Sequence, residues 1–156
     1  PFMFPEKLLP LAITNLLEGK KVPIYGPGAQ VREWLYVTDH CRAIDLILLK
    51  GTAGETYFAG PDNPELTNVQ VIKKLLQIMI VGEDRIEFVS DRPGHDQRYA
   101  LDWSKIKADL GWEPEVALDE ALQRMVAWYK DNEAWWKRIK SGEYQEYYER
   151  QYGGRI

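Results

Sequence analysis

Arg32 and Arg92 are the side chains best suited to hold a ligand, because a guanidinium offers paired, always-charged donors in a fork that fits phosphate oxygens. An arginine without a surrounding pattern is more often a surface or ion-pair residue, so both readings stand for these two. Lys7 lies near the start of a helical pattern, where backbone N–H groups and the positive dipole end favour an anion; a solvated lysine is the alternative. Asn68 falls at another helix start, where its amide can donate and accept toward a ligand or act as an ordinary cap. His95 lies between Gly94 and Asp96 in a polar stretch, where a neutral imidazole can hydrogen-bond a ligand. Metal binding is the poorer idea: His40 and Cys41 are adjacent and His95 is remote, which is no spaced ligand set. His40 is expected to pack behind the Arg32 strand, and Cys41 to be a buried helix residue. Asp96, Arg98 and Asp102 are expected to brace the loop through ion pairs.

The elements that must position these groups are short. Leu8, Leu9, Ile13, Leu16 and Leu17 have helical spacing over residues 7–18, with Pro10 in the first turn and a stop at Gly19. A turn at Gly26-Pro27-Gly28 divides a short strand, 22–25, from a second one predicted over 31–37 by its β-branched and aromatic content. Asp39 is expected to cap a helix running to Lys50, and residues 55–59 to form another strand. Thr67-Asn68-Val69-Gln70 has capping-box spacing ahead of the apolar series Val71, Ile72, Leu75, Leu76 and Met79. A strand over 85–90, a loop over 91–97, a short helix over 102–110 ended by Gly111, and helices over 118–132 and from 133 onward complete the pattern. Few strands and a mostly helical last third describe a small mixed α/β unit of short strands and several helices, not a full doubly wound sheet.

Composition narrows the partners. A net charge of −4 in 156 residues argues against a long-range field for nucleic acid, although a few cations at one pocket still hold a small anion. The Trp residues and the cluster of Tyr144, Tyr147 and Tyr148 are therefore expected in the core or an interface and not as a base-stacking surface. The single Cys41 allows no internal disulfide, no apolar run is long enough to cross a bilayer, and the first residues lack the order of a signal peptide, so a cytoplasmic location without membrane contact is expected. No G-x-G-x-x-G turn and no Tyr-x-x-x-Lys pair occurs, so the sequence offers no dinucleotide fingerprint of its own.

Three stretches together resemble the extended short-chain dehydrogenase/reductase superfamily. The first is Phe4-Pro5-Glu6-Lys7-Leu8 leading to Pro23-Ile24-Tyr25-Gly26. The second, Val31-Arg32-Glu33-Trp34-Leu35-Tyr36-Val37-Thr38-Asp39-His40, is similar to a signature shared by many nucleotide-sugar epimerases, dehydratases and decarboxylases. The third is narrower: Asp91-Arg92-Pro93-Gly94-His95-Asp96-Gln97-Arg98-Tyr99-Ala100-Leu101-Asp102, followed by Lys105-Ile106 and Leu110-Gly111-Trp112, resembles the dTDP-glucose 4,6-dehydratase family. The likeness runs to the closing Tyr152-Gly153-Gly154-Arg155.

The resemblance implies a hydro-lyase reaction on dTDP-glucose, in which NAD takes hydride from C4 of the sugar, water leaves across C5 and C6, and hydride returns to C6. It implies that residues 1–156 are the carboxy-terminal nucleotide-sugar-binding domain of such an enzyme, with the NAD-binding Rossmann domain and all catalytic groups upstream of Pro1. The substrate-binding positions it assigns are Lys7, Leu8, Pro23, Ile24, Tyr25, Arg32, Asn68, and the run Asp91, Arg92, Pro93, Gly94, His95. Arg32 and Arg92 would hold the diphosphate, and Pro23-Ile24-Tyr25 would border the thymine, with Tyr25 favoured over Ile24, which suits a plain buried strand equally well. The enzyme would be a homodimer in deoxysugar (rhamnose-type) biosynthesis. Epimerisation or decarboxylation of another nucleotide sugar is the alternative within the superfamily, and a standalone, non-catalytic nucleotide-sugar-binding module the alternative outside it.

Overall fold

A computed structural model of the chain describes residues 2–91 and 93–142. Helix α1 (Leu8–Leu17) follows the predicted periodicity: Leu9, Ala12 and Ile13 are buried, and Pro10 sits in the first turn, where its missing N–H costs no helical bond. Gly19, at φ +71°, closes it in the left-handed conformation, with Lys20 N donating back to Asn15 O at 2.8 Å. Strand β1 (Val22–Tyr25) then pairs in parallel with β4 (Ile86–Val89), Val22 opposite Ile86. Helix α3 (Asn68–Met79) begins with the predicted capping box, in which Thr67 Oγ1 accepts from Gln70 N while Gln70 Oε1 accepts from Thr67 N at 2.8 Å. Helices α5 (Leu118–Asp131) and α6 (Glu133–Lys140) complete the main core, where Leu122, Val126, Tyr129 and Trp136 meet Ile13, Val22, Ile24, Ile72 and Leu75.

Burial fixes the two polar tips of that core. Tyr129 donates its hydroxyl to Met3 O, and burial pushes its pKa up to about 12. Trp136 Nε1 donates to Tyr129 O at 2.8 Å. Lys140, at the end of α6, reaches α1 through Asn15 Oδ1 and Glu18 Oε2, both at 2.9 Å. A second, smaller cluster gathers Ala43 of α2 (Val37–Lys50), Ile106 of α4 (Ser104–Leu110) and Trp112, with Tyr57 and Ala59 packed against it.

Three expectations are corrected. The strand over 31–37 shrinks to β2 (Val31–Arg32), paired antiparallel with β3 (Leu66–Thr67). In this antiparallel register residues 33 and 34 would fall opposite Glu65 and Pro64, and Pro64 has no N–H to carry the ladder on. Side chains bind there instead: Glu33 Oε1 accepts from Leu101 N at 2.9 Å, and Asn63 Nδ2 donates to Trp34 O at 3.4 Å. Helix α2 starts before Asp39, which lies inside its first turn and is 1% exposed. Its Oδ2 accepts from Glu115 N and Val116 N at 3.1 and 3.0 Å, and its Oδ1 from Arg42 Nη1 at 2.7 Å, so this carboxylate ties two segments together and does not cap a helix. Residues 55–59 form no strand: Tyr57 and Ala59 alternate inward onto the second cluster, but no neighbouring strand pairs with them among the described residues.

Candidate functional site

The turn after β1 and the start of α3 are built into each other, and the β1 end with Tyr25, Asn68 and, through Gly26, Asp91 meet at that junction. Gly26 and Gly28 have φ of +54° and +69°, and a methyl on Gly28 would stand 2.7 Å from Ile24 Cγ2 and 2.9 Å from Val69 Cβ, so the turn packs flush on α3. The first amides of α3 are already satisfied within the chain. Asn68 N donates to Gln30 O at 2.9 Å, Val69 N to Gly28 O at 3.1 Å and Gln70 N to Thr67 Oγ1 at 3.3 Å. Thr67 is thus the cap, and the ligand-binding capacity of this helix start rests with the Asn68 side chain. Its Oδ1 is buried without a partner among the described residues.

Arg32 leaves β2 at the meeting point of two cavities of about 510 and 500 Å³. Lys7, Leu8, Arg32 and Trp34 line the first, and Arg32, His40, Tyr99 and Leu101 the second. The guanidinium is held before any ligand arrives: Nη1 donates to Val31 O and Nη2 to Asp96 O, both at 2.6 Å, and the group stacks over the Tyr99 ring at 4.6 Å. Further N–H donors remain on the fork for an anion. Lys7 is the residue preceding α1, as expected; its ammonium lies 3.2 Å from Glu6 and both side chains are largely exposed.

The loop after β4 carries a second group of predicted site residues. His95 has a side chain only 8% exposed, places Nδ1 2.6 Å from Asp91 Oδ1, and meets the Tyr25 ring edge-on at 6.0 Å. Pro93 and Gly94 are exposed in the turn between Asp91 and His95, with Gly94 at φ +68°. Along the same loop Val31 N donates to Gln97 O at 2.8 Å and Tyr99 N to Val31 O at 3.2 Å, so the loop lies against β2 and carries Asp96 to Arg32. Arg98 braces it through an ion pair with Glu65, which raises the pKa of the guanidinium and lowers that of the carboxylate. Asp96 accepts from the Tyr99 hydroxyl, and Asp102 accepts from Ser104 N at 2.9 Å, a backbone bond that holds its carboxyl below the usual range. Bracing by Arg98 is therefore ionic, while Asp96 and Asp102 act through hydrogen bonds.

Tyr25, Arg32, Asn68, Asp91 and His95 are joined through β1, β2, α3 and this loop, and Lys7 and Leu8 share a cavity with Arg32. Pro23 is half-buried on β1, opposite Glu87. The Ile24 side chain, 1% exposed, belongs to the core, so the apolar wall falls to Tyr25, which is half exposed. Arg92, Tyr144, Tyr147, Tyr148 and the closing Tyr152–Arg155 stretch lie outside the described residues. His40 is exposed on α2 beside the second cavity and does not pack behind β2, and Cys41 is exposed as well, because α2 buries only Asp39 and Ala43. Sequence reasoning missed Gln30, buried and bonded to Asp91, and Tyr99, on which Arg32 stacks. No periodicity marks either one; the sole signal for Tyr99 was its place in the 91–102 block. Among the described residues no group of His, Cys, Asp and Glu could hold a metal ion, and no helix is long and apolar enough to cross a membrane.

Residues 1–125 match the model of the family described as GDP-mannose 4,6 dehydratase. Over 141 residues the chain is 50% identical to a dTDP-glucose 4,6-dehydratase of Streptomyces niveus, covering 90% of this chain and 42% of that protein. Among solved structures, dTDP-glucose 4,6-dehydratase from Bacillus anthracis in complex with NAD is 49% identical with a TM-score of 0.85, over 89% of this chain and 44% of that one. The enzyme of the same name from Streptomyces venezuelae, with NAD and TYD bound, is 46% identical with a TM-score of 0.86, over 89% and 43%. The chain thus spans less than half the length of these relatives.

Proposed function

The chain belongs to the GDP-mannose 4,6 dehydratase family, and on that premise we propose that it forms the nucleotide-sugar-binding part of an NAD-dependent dTDP-glucose 4,6-dehydratase. Such an enzyme is a hydro-lyase that converts dTDP-glucose to dTDP-4-keto-6-deoxyglucose and water. The observation that carries the reading is the pre-held Arg32 guanidinium with Lys7 across a shared cavity; the Asn68 amide beside the β2–β3 pair and the Tyr25–His95 ring pair support it. Two cations and an amide donor suit a diphosphate, and the edge-on aromatic pair suits a flat base at its end. In this reading the described residues bind and orient the substrate and supply no acid, base or hydride carrier.

These residues do not fit NAD. The Gly26-Pro27-Gly28 turn leads to a strand and not a helix, and the first amides of α3, which would otherwise face a pyrophosphate, are taken by Gly28, Gln30 and Thr67. The cofactor is therefore assigned to a Rossmann domain of the same protein outside residues 1–156. A homodimeric, cytoplasmic enzyme of deoxysugar (rhamnose-type) biosynthesis is the setting proposed with it.

The test is incubation of the full-length protein that carries this chain with NAD and dTDP-glucose, the product being identified by NMR. A 4-keto-6-deoxy sugar with loss of one water is expected. Recovery of a C4 epimer, or of a decarboxylated product from a uronic acid substrate, would move the protein to another branch of the superfamily.

A further inference from the structure

Behind the His95 and Tyr25 wall runs a chain of hydrogen bonds that starts in the protein interior. Gln30 is 1% exposed, and its Nε2 donates to Asp91 Oδ2 at 2.8 Å. The other carboxylate oxygen, Asp91 Oδ1, lies 2.6 Å from His95 Nδ1. The same carboxylate rests on the bare backbone of Gly26, where a methyl group would stand 3.1 Å from Oδ2. Gln30 is itself pinned, its carbonyl oxygen accepting from Asn68 N at 2.9 Å, so one residue touches the supports of both Asn68 and His95.

The chemistry of this chain has a direction. An ionised carboxylate only accepts, so the Gln30 carboxamide must turn its NH₂ toward Asp91, and His95 must carry a proton on Nδ1. Nε2 of His95 is then the ring atom left for a ligand. We propose that Gln30 is a positioning residue of the nucleotide-sugar site, which orients Asp91 and, through it, fixes the tautomer of His95 and the placing of its ring against Tyr25. The inference rests on the reading of the site given under Proposed function. Gln30 itself does not touch substrate; its Oε1 is buried and without a partner among the described residues.

The test uses the full-length protein that carries this chain, with imidazole ¹⁵N NMR of His95 and steady-state kinetics on dTDP-glucose as separate readouts. Gln30→Glu sets an acceptor against an acceptor, and Gln30→Met removes the donor at similar length. Both are expected to take His95 out of the single Nδ1–H tautomer and to raise KM by about tenfold with kcat changed far less, since a supporting hydrogen bond and not a reacting group is lost. The double variant Gln30→Glu/Asp91→Asn reverses donor and acceptor between the two side chains while leaving an amide oxygen to accept from His95. It is expected to restore the tautomer and to recover most of the KM. A His95 signal unmoved by the single variants, a moved signal with unchanged KM, or a double variant no better than Gln30→Glu would each overturn the proposal. A wild-type protein that shows no binding of dTDP-glucose would instead sink the functional reading, and the NMR arm would still decide whether Gln30 sets His95.

Discussion

Asp39 is the carboxylate on which the second cluster depends, and its removal has a calculable effect. Asp39→Ala takes away the acceptor for the Glu115 and Val116 amides, at 3.1 and 3.0 Å, and for Arg42 Nη1 at 2.7 Å. The two amides are part-buried, and each loses a charge-assisted bond. Arg42 keeps Glu115 Oε1 at 2.7 Å, so its charge is not stranded and adds little. Taking ~1 to 1.5 kcal/mol for each amide and up to ~1 kcal/mol for the arginine gives a destabilisation of about 3 kcal/mol. For a domain of this size that is a fall in Tm of roughly 6–12 °C. Asp39→Asn keeps an oxygen for the amides and should cost about 1 kcal/mol. Thermal unfolding followed by tryptophan fluorescence is the suitable assay, because Trp112 Nε1 donates to Asp39 O at 3.2 Å and reports on this contact. An Asp39→Ala variant within about 0.5 kcal/mol of wild type would refute the view that this carboxylate ties α2 to the 111–117 segment.

Other consequences can be measured independently. Arg32→Ala in the full-length protein should weaken dTDP-sugar binding by about 1.5 to 3 kcal/mol, roughly ten- to hundredfold, and the same is expected of Arg92→Ala; wild-type affinity by calorimetry in both would remove the diphosphate assignment. Burial raises the Glu18 pKa, but hydrogen bonds from Lys20 and Lys140 outweigh it and hold the carboxyl below 4.5. A depressed pKa stabilises the fold above the unfolded value and that contribution is lost as pH falls, so Lys140→Met should lower stability at neutral pH, with the difference from wild type shrinking as urea titrations are moved below pH 4.5. The 156-residue chain alone should self-associate through α2, whose Val37, Ile44, Leu48 and Leu49 are 51, 46, 80 and 73% exposed. Light scattering over a concentration series checks this, with Leu48→Lys expected to reduce association and a concentration-independent monomer counting against it.

The sequence made the local rules legible and left the long-range ones hidden. The α1 stop at Gly19, the Thr67 to Gln70 capping box and the Gly111 stop depend on residues a few positions apart, and each forms as read. Residues 33–37 and 55–59 have strand-forming side chains too, but a strand also needs a neighbour, and neither segment has one among the described residues. The apolar face predicted for α1 is buried, whereas α2 packs Ala43, Leu46 and Ile47 on the second cluster and leaves Val37, Ile44, Leu48 and Leu49 exposed; helical periodicity says which residues share a stripe and not what covers it. Gln30 was illegible for a related reason: its partner Asp91 is 61 positions away.

Within the 31–40 block these two kinds of information meet. Arg32 and Asp39 look alike on the page, as charged residues in one short signature, yet the structure gives them opposite employment. Arg32 lies where β2 ends, so its guanidinium opens onto two cavities and keeps donors for a ligand. Asp39 has turned into α2 and is spent on the chain's own backbone. Residues 33–36 form no ladder before α2 begins at Val37, and Glu33, Trp34 and Leu35 line the cavities on either side of Arg32. A longer β2 would set residues 33 and 34 against Glu65 and Pro64, a proline that can donate no ladder bond. The predicted strand thus stops where its partner ceases to fit, and Arg32 stands at the point where the ladder ends.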